Sequence, residues 1–203
     1  LTGNRISPAR DCKKARGLFF MFRIPEQDQQ RIVEVSRQLC SRGQLGQTRE
    51  YIQHGHTTVY THVHHVARIA LWLNRRLGVK ADRDRLIRSA LLHDYFLYDW
   101  HDRNHRHPRP HGFRHPRVAM ETAHAHYGLH DREKDAILGH MFPLTPPPRH
   151  REGWLVTAAD KLSTFQELSA WWRKKVRPAS ATGRARIRRK HSLPSSASQS
   201  DQS

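Results

Sequence analysis

Apolar residues recur at intervals of three and four over most of the middle of this chain, the spacing of helices buried on one face. The clearest case runs from Thr57 to Leu77. There Val59, Val63, Val66, Ala70, Leu73 and Leu77 form one stripe that stops at Gly78. An earlier segment, Asp28 to about Leu45, carries Ile32, Val35 and Leu39 and ends near Gly43 and Gly46. Asp82 is placed to cap a helix that brings Leu86, Ile87, Ala90 and Leu91 up to His93-Asp94. Pro116 suits the first turn of a helix through Tyr127, closed by Gly128. Asp131 caps a short helix through Ile137 and Leu138 to about Met141, and after Pro146-Pro147-Pro148 a last helix spans Gly153 to about Trp172. No stretch alternates with period two, and no internal repeat is visible. The pattern predicts an all-α fold.

Composition divides the chain into three. Its 203 residues carry a formal net charge of +18. Residues 1–24 hold six basic residues and one acid, and residues 173–203 hold nine basic residues and one acid. Most of the excess therefore sits on the ends. The expected organisation is a basic N-terminal extension (1–24), a helical domain (25–172) and a basic, then Ser-rich, tail (173–203). Such an apolar-poor tail cannot offset its ordering entropy and is expected to be disordered. Its charges suit weak phosphate contacts with nucleic acid, although a solvated tail is the simpler reading. Residues 1–20, ahead of Met21, read as an over-extended start or an expression remnant.

No apolar run approaches the roughly 20 residues that span a bilayer, and Leu18 to Phe22 is too short for a signal-peptide core. Two cysteines, Cys12 and Cys40, make neither a disulfide framework nor a C-x-x-C pair. These features argue against a membrane protein, a stapled secreted domain and a zinc-finger array, and the expectation is a cytoplasmic protein.

Acids on apolar helix faces mark the chemistry. Asp94 lies four residues after Ala90 and seven after Ile87, continuing the buried face of its helix. A carboxylate there needs a partner or a metal. His93 brings an imidazole to the same place, His62 lies at the margin of the Val59–Leu77 stripe, and Asp160 is embedded in Val156-Thr157-Ala158-Ala159-Asp160. Any one of these alone is more simply a satisfied core residue. Together, on three helices, they are a ligand set for Mn, Fe, Zn, Ni or Mg.

The order His62, His93-Asp94, Asp160 resembles the HD-domain superfamily of metal-dependent phosphohydrolases over roughly residues 28–172. His54-Gly55 through Tyr60-x-His62, Leu91-Leu92-His93-Asp94-Tyr95 and Ala159-Asp160-Lys161 carry the resemblance. It implies a helical bundle in which His62, His93, Asp94 and Asp160 bind a divalent ion. Gly112-Phe113-x-His115-Pro116 and Gly139-His140-Met141-x-Pro143-Leu144 look like a small bacterial branch. In some members His115 and His140 would hold a second ion, with Asp94 bridging. One or two transition ions are thus implied, their identity open.

The reaction so implied is hydrolysis of a phosphate ester, nucleotide or small phosphorylated metabolite, by water that the metal activates. Asp94 and Lys161 are the candidate catalytic residues, Lys161 through a phosphate oxygen. Two alternatives stand beside this reading: a di-iron oxygenase on the same six ligands, and a non-catalytic scaffold binding nucleic acid through the basic tail. His101, His105, His107 and His111 fall in a polar loop, Trp100 to Arg114, that could cover the site. His124, His126 and His130 read as surface residues. Oligomeric state is open.

Overall fold

The computed structural model describes residues 22–101 and 110–176, without the side chains of residue 111 and residues 173–176. The described residues form six α-helices: α1 (Glu26–Arg42), α2 (Val59–Arg76), α3 (Arg83–Leu92), α4 (His111–Tyr127), α5 (Asp131–Gly139) and α6 (Arg151–Val176). A 3-10 turn (Leu45–Arg49) and a two-stranded hairpin, β1 (Ile52–His54) and β2 (Thr57–Thr58), join α1 to α2. The fold is all-α, as the spacing predicts. No helix among the described residues is long and apolar enough to cross a membrane.

The stripe of α2 makes it the central helix. Its N-terminus is fixed by Thr58, whose side chain accepts from Thr61 N. Val59, Val63, Val66, Ala67 and Ala70 are fully or almost fully buried against α3 and α6. α3 starts at Asp82, which accepts from Arg85 N, and buries Leu86, Ile87, Ala90 and Leu91. α5 packs on α3, α4 and α6. The ends of α3 and α5 therefore point into the middle of the bundle, where α2 and α6 pass.

A close approach sets the last two helices. A side-chain carbon on Gly153 would lie 2.4 Å from Pro148 Cβ, and one on Gly139 would lie 2.8 Å from Pro148 Cγ. Only glycine lets the proline wedge between the end of α5 and the start of α6. Gly153→Ala is expected to destabilise the fold by about 1–3 kcal/mol, the cost of overpacking a tight contact. Urea denaturation measures it, and an unchanged midpoint would show that the loop yields freely.

Several boundaries differ from expectation. α1 begins two residues before Asp28, and its C-terminal end gives way to the 3-10 turn rather than reaching Leu45. Asp28 is itself buried, with Arg75 Nη1 at 3.4 Å and Arg83 Nη1 at 3.5 Å from its carboxylate. α4 begins at His111, so that Pro116 and His115 lie inside it; Pro116 offers no N–H to the Gly112 carbonyl a turn earlier. The segment 111–114, read as loop, is thus the start of that helix. His130, not Asp131, caps α5: its ring accepts from Arg132 N while Glu133 accepts from His130 N. α6 begins two residues before Gly153 and its backbone runs to Val176, four residues past Trp172, into the expected tail. The hairpin escapes a period-two search because its strands are three and two residues long. Phe22, assigned to the N-terminal extension, is buried with its ring 4.9 Å from that of Trp72. Residues 1–21, 102–109, with His105 and His107, and 177–203 lie outside the described residues.

Candidate metal centre

Two histidines reach the centre by one local device. His93 caps the C-terminus of α3 and His140 that of α5. In each the ring turns back to its own helix: His93 Nδ1 donates to Ala90 O at 2.8 Å and His140 Nδ1 to Ile137 O at 2.7 Å. The carbonyls of a last helical turn lack helical partners, so the ring satisfies one and is pinned by it. Nδ1 thus holds its proton against the carbonyl, and Nε2 is the nitrogen that points inward. Both rings are buried.

Asp94 follows His93 and lies between two groups of nitrogens. Its Oδ2 is 3.4 Å from His93 Nε2 and 3.8 Å from His62 Nε2. Its Oδ1 is 3.2 Å from His115 Nε2 and 3.5 Å from His140 Nε2. Asp160, from α6, sets its Oδ1 3.1 Å from His62 Nε2 and 3.8 Å from His93 Nε2. All six residues singled out in the sequence are thus within one buried cluster. Two overlapping groups, His62-His93-Asp94 and Asp94-His115-His140, are each compact enough to hold an ion.

Side chains around the cluster orient it, and these the sequence reading missed. Glu167, buried on α6, lies 3.1 Å from His62 Nδ1 and accepts from Ser163 Oγ at 2.9 Å. Its signal was present, since Glu167 is seven residues after Asp160 on the same helix face. Gln53, buried on β1, donates to Asp94 Oδ2 at 2.6 Å. It gave no signal, because the strand that carries it is too short to read. Lys161 stands at the rim, Nζ 3.2 Å from His140 O and 3.6 Å from Asp160 Oδ2. Arg151, at the start of α6, donates to the carbonyls of Val79 and Lys80. His101 is exposed, its ring against Trp100. His124, His126 and His130 are exposed but not idle: His124 accepts from Leu129 N, and His126 Nδ1 lies 2.9 Å from the Tyr95 hydroxyl.

The electrostatics are those of a site built around positive charge. Burial would raise the carboxyls of Asp94 and Asp160, yet the surrounding histidines hold both well below the usual range. Burial likewise opposes charge on His62, but Glu167 and Asp160 outweigh it and raise that ring well above its ordinary value. His93 is raised to about 9 against its burial, chiefly by Asp94. Burial, with His93 and His115 beside it, pushes His140 down to about 3, so its ring is neutral. His93 Nε2 and Asp94 Oδ1 make no hydrogen bond although buried. Buried orphans of this kind are costly. Imidazole nitrogens and carboxylates aimed at one another across 3–4 Å are the donor set of a divalent ion, and the residues fit one.

The family model for the HD domain matches residues 59–164. No curated protein and no solved structure matches the chain. The matched span covers more than half of the chain and takes in His62, His93, Asp94, His115, His140 and Asp160, while Gln53 and Glu167 fall outside it. The chain belongs to the HD domain family, whose members are generally metal-dependent hydrolases.

Proposed function

We propose that this protein is a metal-dependent phosphohydrolase that cleaves a phosphate ester, a nucleotide or small phosphorylated metabolite, at a site for two divalent ions. The observation that carries the reading is the division of Asp94. One oxygen faces His62 and His93, and the other faces His115 and His140. His62, His93 and Asp160 would hold one ion, His115 and His140 the other, with Asp94 shared. Bound divalent ions lower the pKa of a coordinated water to about 7 and stabilise charge on phosphoryl oxygens.

The chain's own residues supply position and charge. Ala90 O and Ile137 O hold the rings of His93 and His140 with Nε2 inward. Gln53 donates to Asp94 Oδ2 and keeps the shared carboxylate from turning. Lys161, half exposed at the rim, would attract a phosphoryl oxygen of the arriving substrate. Elemental analysis of untagged protein, with phosphate release from a panel of nucleotides and phosphomonoesters, tests the proposal. About two transition ions per chain and phosphate release are expected. Bound iron with oxygen consumption and no phosphate release would favour the oxygenase instead.

Glu167 acts through His62. Partners of this kind fix the tautomer and direction of a ligating imidazole. Glu167→Gln keeps the volume and removes the charged acceptor. Metal affinity, read by competition with a chromophoric chelator, is expected to weaken about 10- to 100-fold. An unchanged affinity would remove Glu167 from that role.

A further inference from the structure

The outward face of α6 carries almost no charge. Trp154, Ala158, Leu162, Phe165, Leu168 and Trp172 follow one another there at helical spacing, and all are exposed. Phe165 is 73% exposed, Trp172 61% and Trp154 47%. The inward face buries Val156, Ala159, Asp160, Ser163 and Glu167. Between Trp154 and Trp172 the outward stripe is interrupted by a single charge, Lys161. A surface helix ordinarily turns a charged face to water, and one that is apolar on both sides belongs in an interior or an interface. The exposed side chains amount to on the order of 500 Å² of apolar surface, as large as the largest patch on a typical monomer. With a polar rim, such a stripe approaches the roughly 800 Å² per partner of a stable interface.

We propose that this face joins two copies of the chain, their α6 helices packed antiparallel across a two-fold axis beside Ser163. A two-fold contact must be self-complementary, so that if one residue meets a second, the second meets the first. The stripe has that property. About Ser163, Trp154 faces Trp172 of the partner subunit, Ala158 faces Leu168 of the partner subunit, and Lys161 faces Phe165 of the partner subunit. Small meets large at Ala158 and Leu168, and at Lys161 it is the aliphatic stem that lies along the facing ring, its ammonium staying turned to His140 O. A parallel pairing would set the two Lys161 side chains together and bring the two Arg173-Lys174-Lys175 runs side by side. Like-charge repulsion opposes both. The antiparallel pairing sends those runs to opposite ends. It also braces the helix whose inner face carries Asp160 and Glu167.

Sedimentation of the full chain tests this directly. The expected particle at micromolar concentration has twice the 23.8 kDa chain mass. Phe165→Asp, which alters no buried residue, is expected to raise the dissociation constant on the order of 100-fold with unchanged helical circular dichroism. Trp172→Gln, near the far end of the helix, is expected to act in the same direction and decides the matter should the first variant not fold. In a background without Cys12 and Cys40, mixed Trp154→Cys and Trp172→Cys chains are expected to cross-link with each other on oxidation. A monomeric wild-type chain at about 100 µM, well above where an interface of this size assembles, overturns the proposal. That outcome includes the stripe being covered by the chain's own Leu18–Met21 segment. A dimer indifferent to both substitutions, or one in which Trp172→Cys chains cross-link only with themselves, overturns it as well.

Discussion

Asp94→Asn is expected to empty both halves of the metal centre and to lower phosphate release by on the order of 10³-fold or more, the several kcal/mol that metal activation supplies. The substitution changes no volume. It leaves an oxygen that can still accept from Gln53 Nε2, whose present contact with Asp94 Oδ2 is 2.6 Å. What it removes is the negative charge that His62 and His93 approach from one side and His115 and His140 from the other. A neutral amide cannot bridge two cations, so both donor sets lose their common oxygen. The measurement is metal content beside phosphate release, with circular dichroism to show that the helices persist. Two ions retained per chain would exclude bridging. One ion retained would confine Asp94 to a single donor set.

The second large effect is the pH dependence of metal loading. Without metal, His62 is held well above its ordinary value and His93 is raised to about 9, so both rings carry protons at pH 7. An ion must displace those protons, because only the neutral imidazole ligates. Protonation favours the metal-free chain, and affinity therefore falls as pH falls. With two protons displaced, the apparent affinity drops about 100-fold between pH 7 and pH 6, tenfold for each proton. Asp94 and Asp160, both held well below the usual carboxylate range, stay ionised through this window and do not add to the slope. His140, pushed down to about 3, is already neutral and has no proton to release. The ion on the His62 side should therefore show the steep dependence and the ion on the His140 side a shallower one. Calorimetric titration in buffers of different ionisation enthalpy counts the protons directly. A loading step without proton release would contradict the arrangement of His62 and His93.

Sequence by itself reveals a side chain's direction where its own neighbours share a face. His62 beside Val59 and Val63, and Asp94 in phase with Ile87 and Ala90, announce themselves because a polar group on an apolar face must find a partner. It falls short where the partner comes from elsewhere in the chain. Gln53 reaches Asp94 from a strand of three residues, too brief to produce a pattern. Glu167 shared a face with Asp160, yet its meaning depends on His62, more than a hundred positions earlier in the chain. The N-cap of α5 was missed for a similar reason, although Asp82 caps α3 as expected. His130 competes with Asp131 for the start of α5, and Glu133, which is buried and ion-paired with Arg88, completes the capping box that decides it.

Periodicity alone determined that this chain folds as helices, which faces turn inward, and that a histidine-aspartate doublet ends one of them. Those are local properties, since they follow from 3.6 residues per turn and the cost of leaving apolar surface in water. The tertiary structure decided the rest. It brought the ends of α3 and α5 to the flanks of α2 and α6, opened Asp94 to nitrogens on both sides, and set Glu167 behind His62. Among the described residues it also left the outer face of α6 bare, although that stripe looks in the sequence like any buried one. Spacing shows that a face is apolar, but only the packing of the other helices shows whether anything covers it.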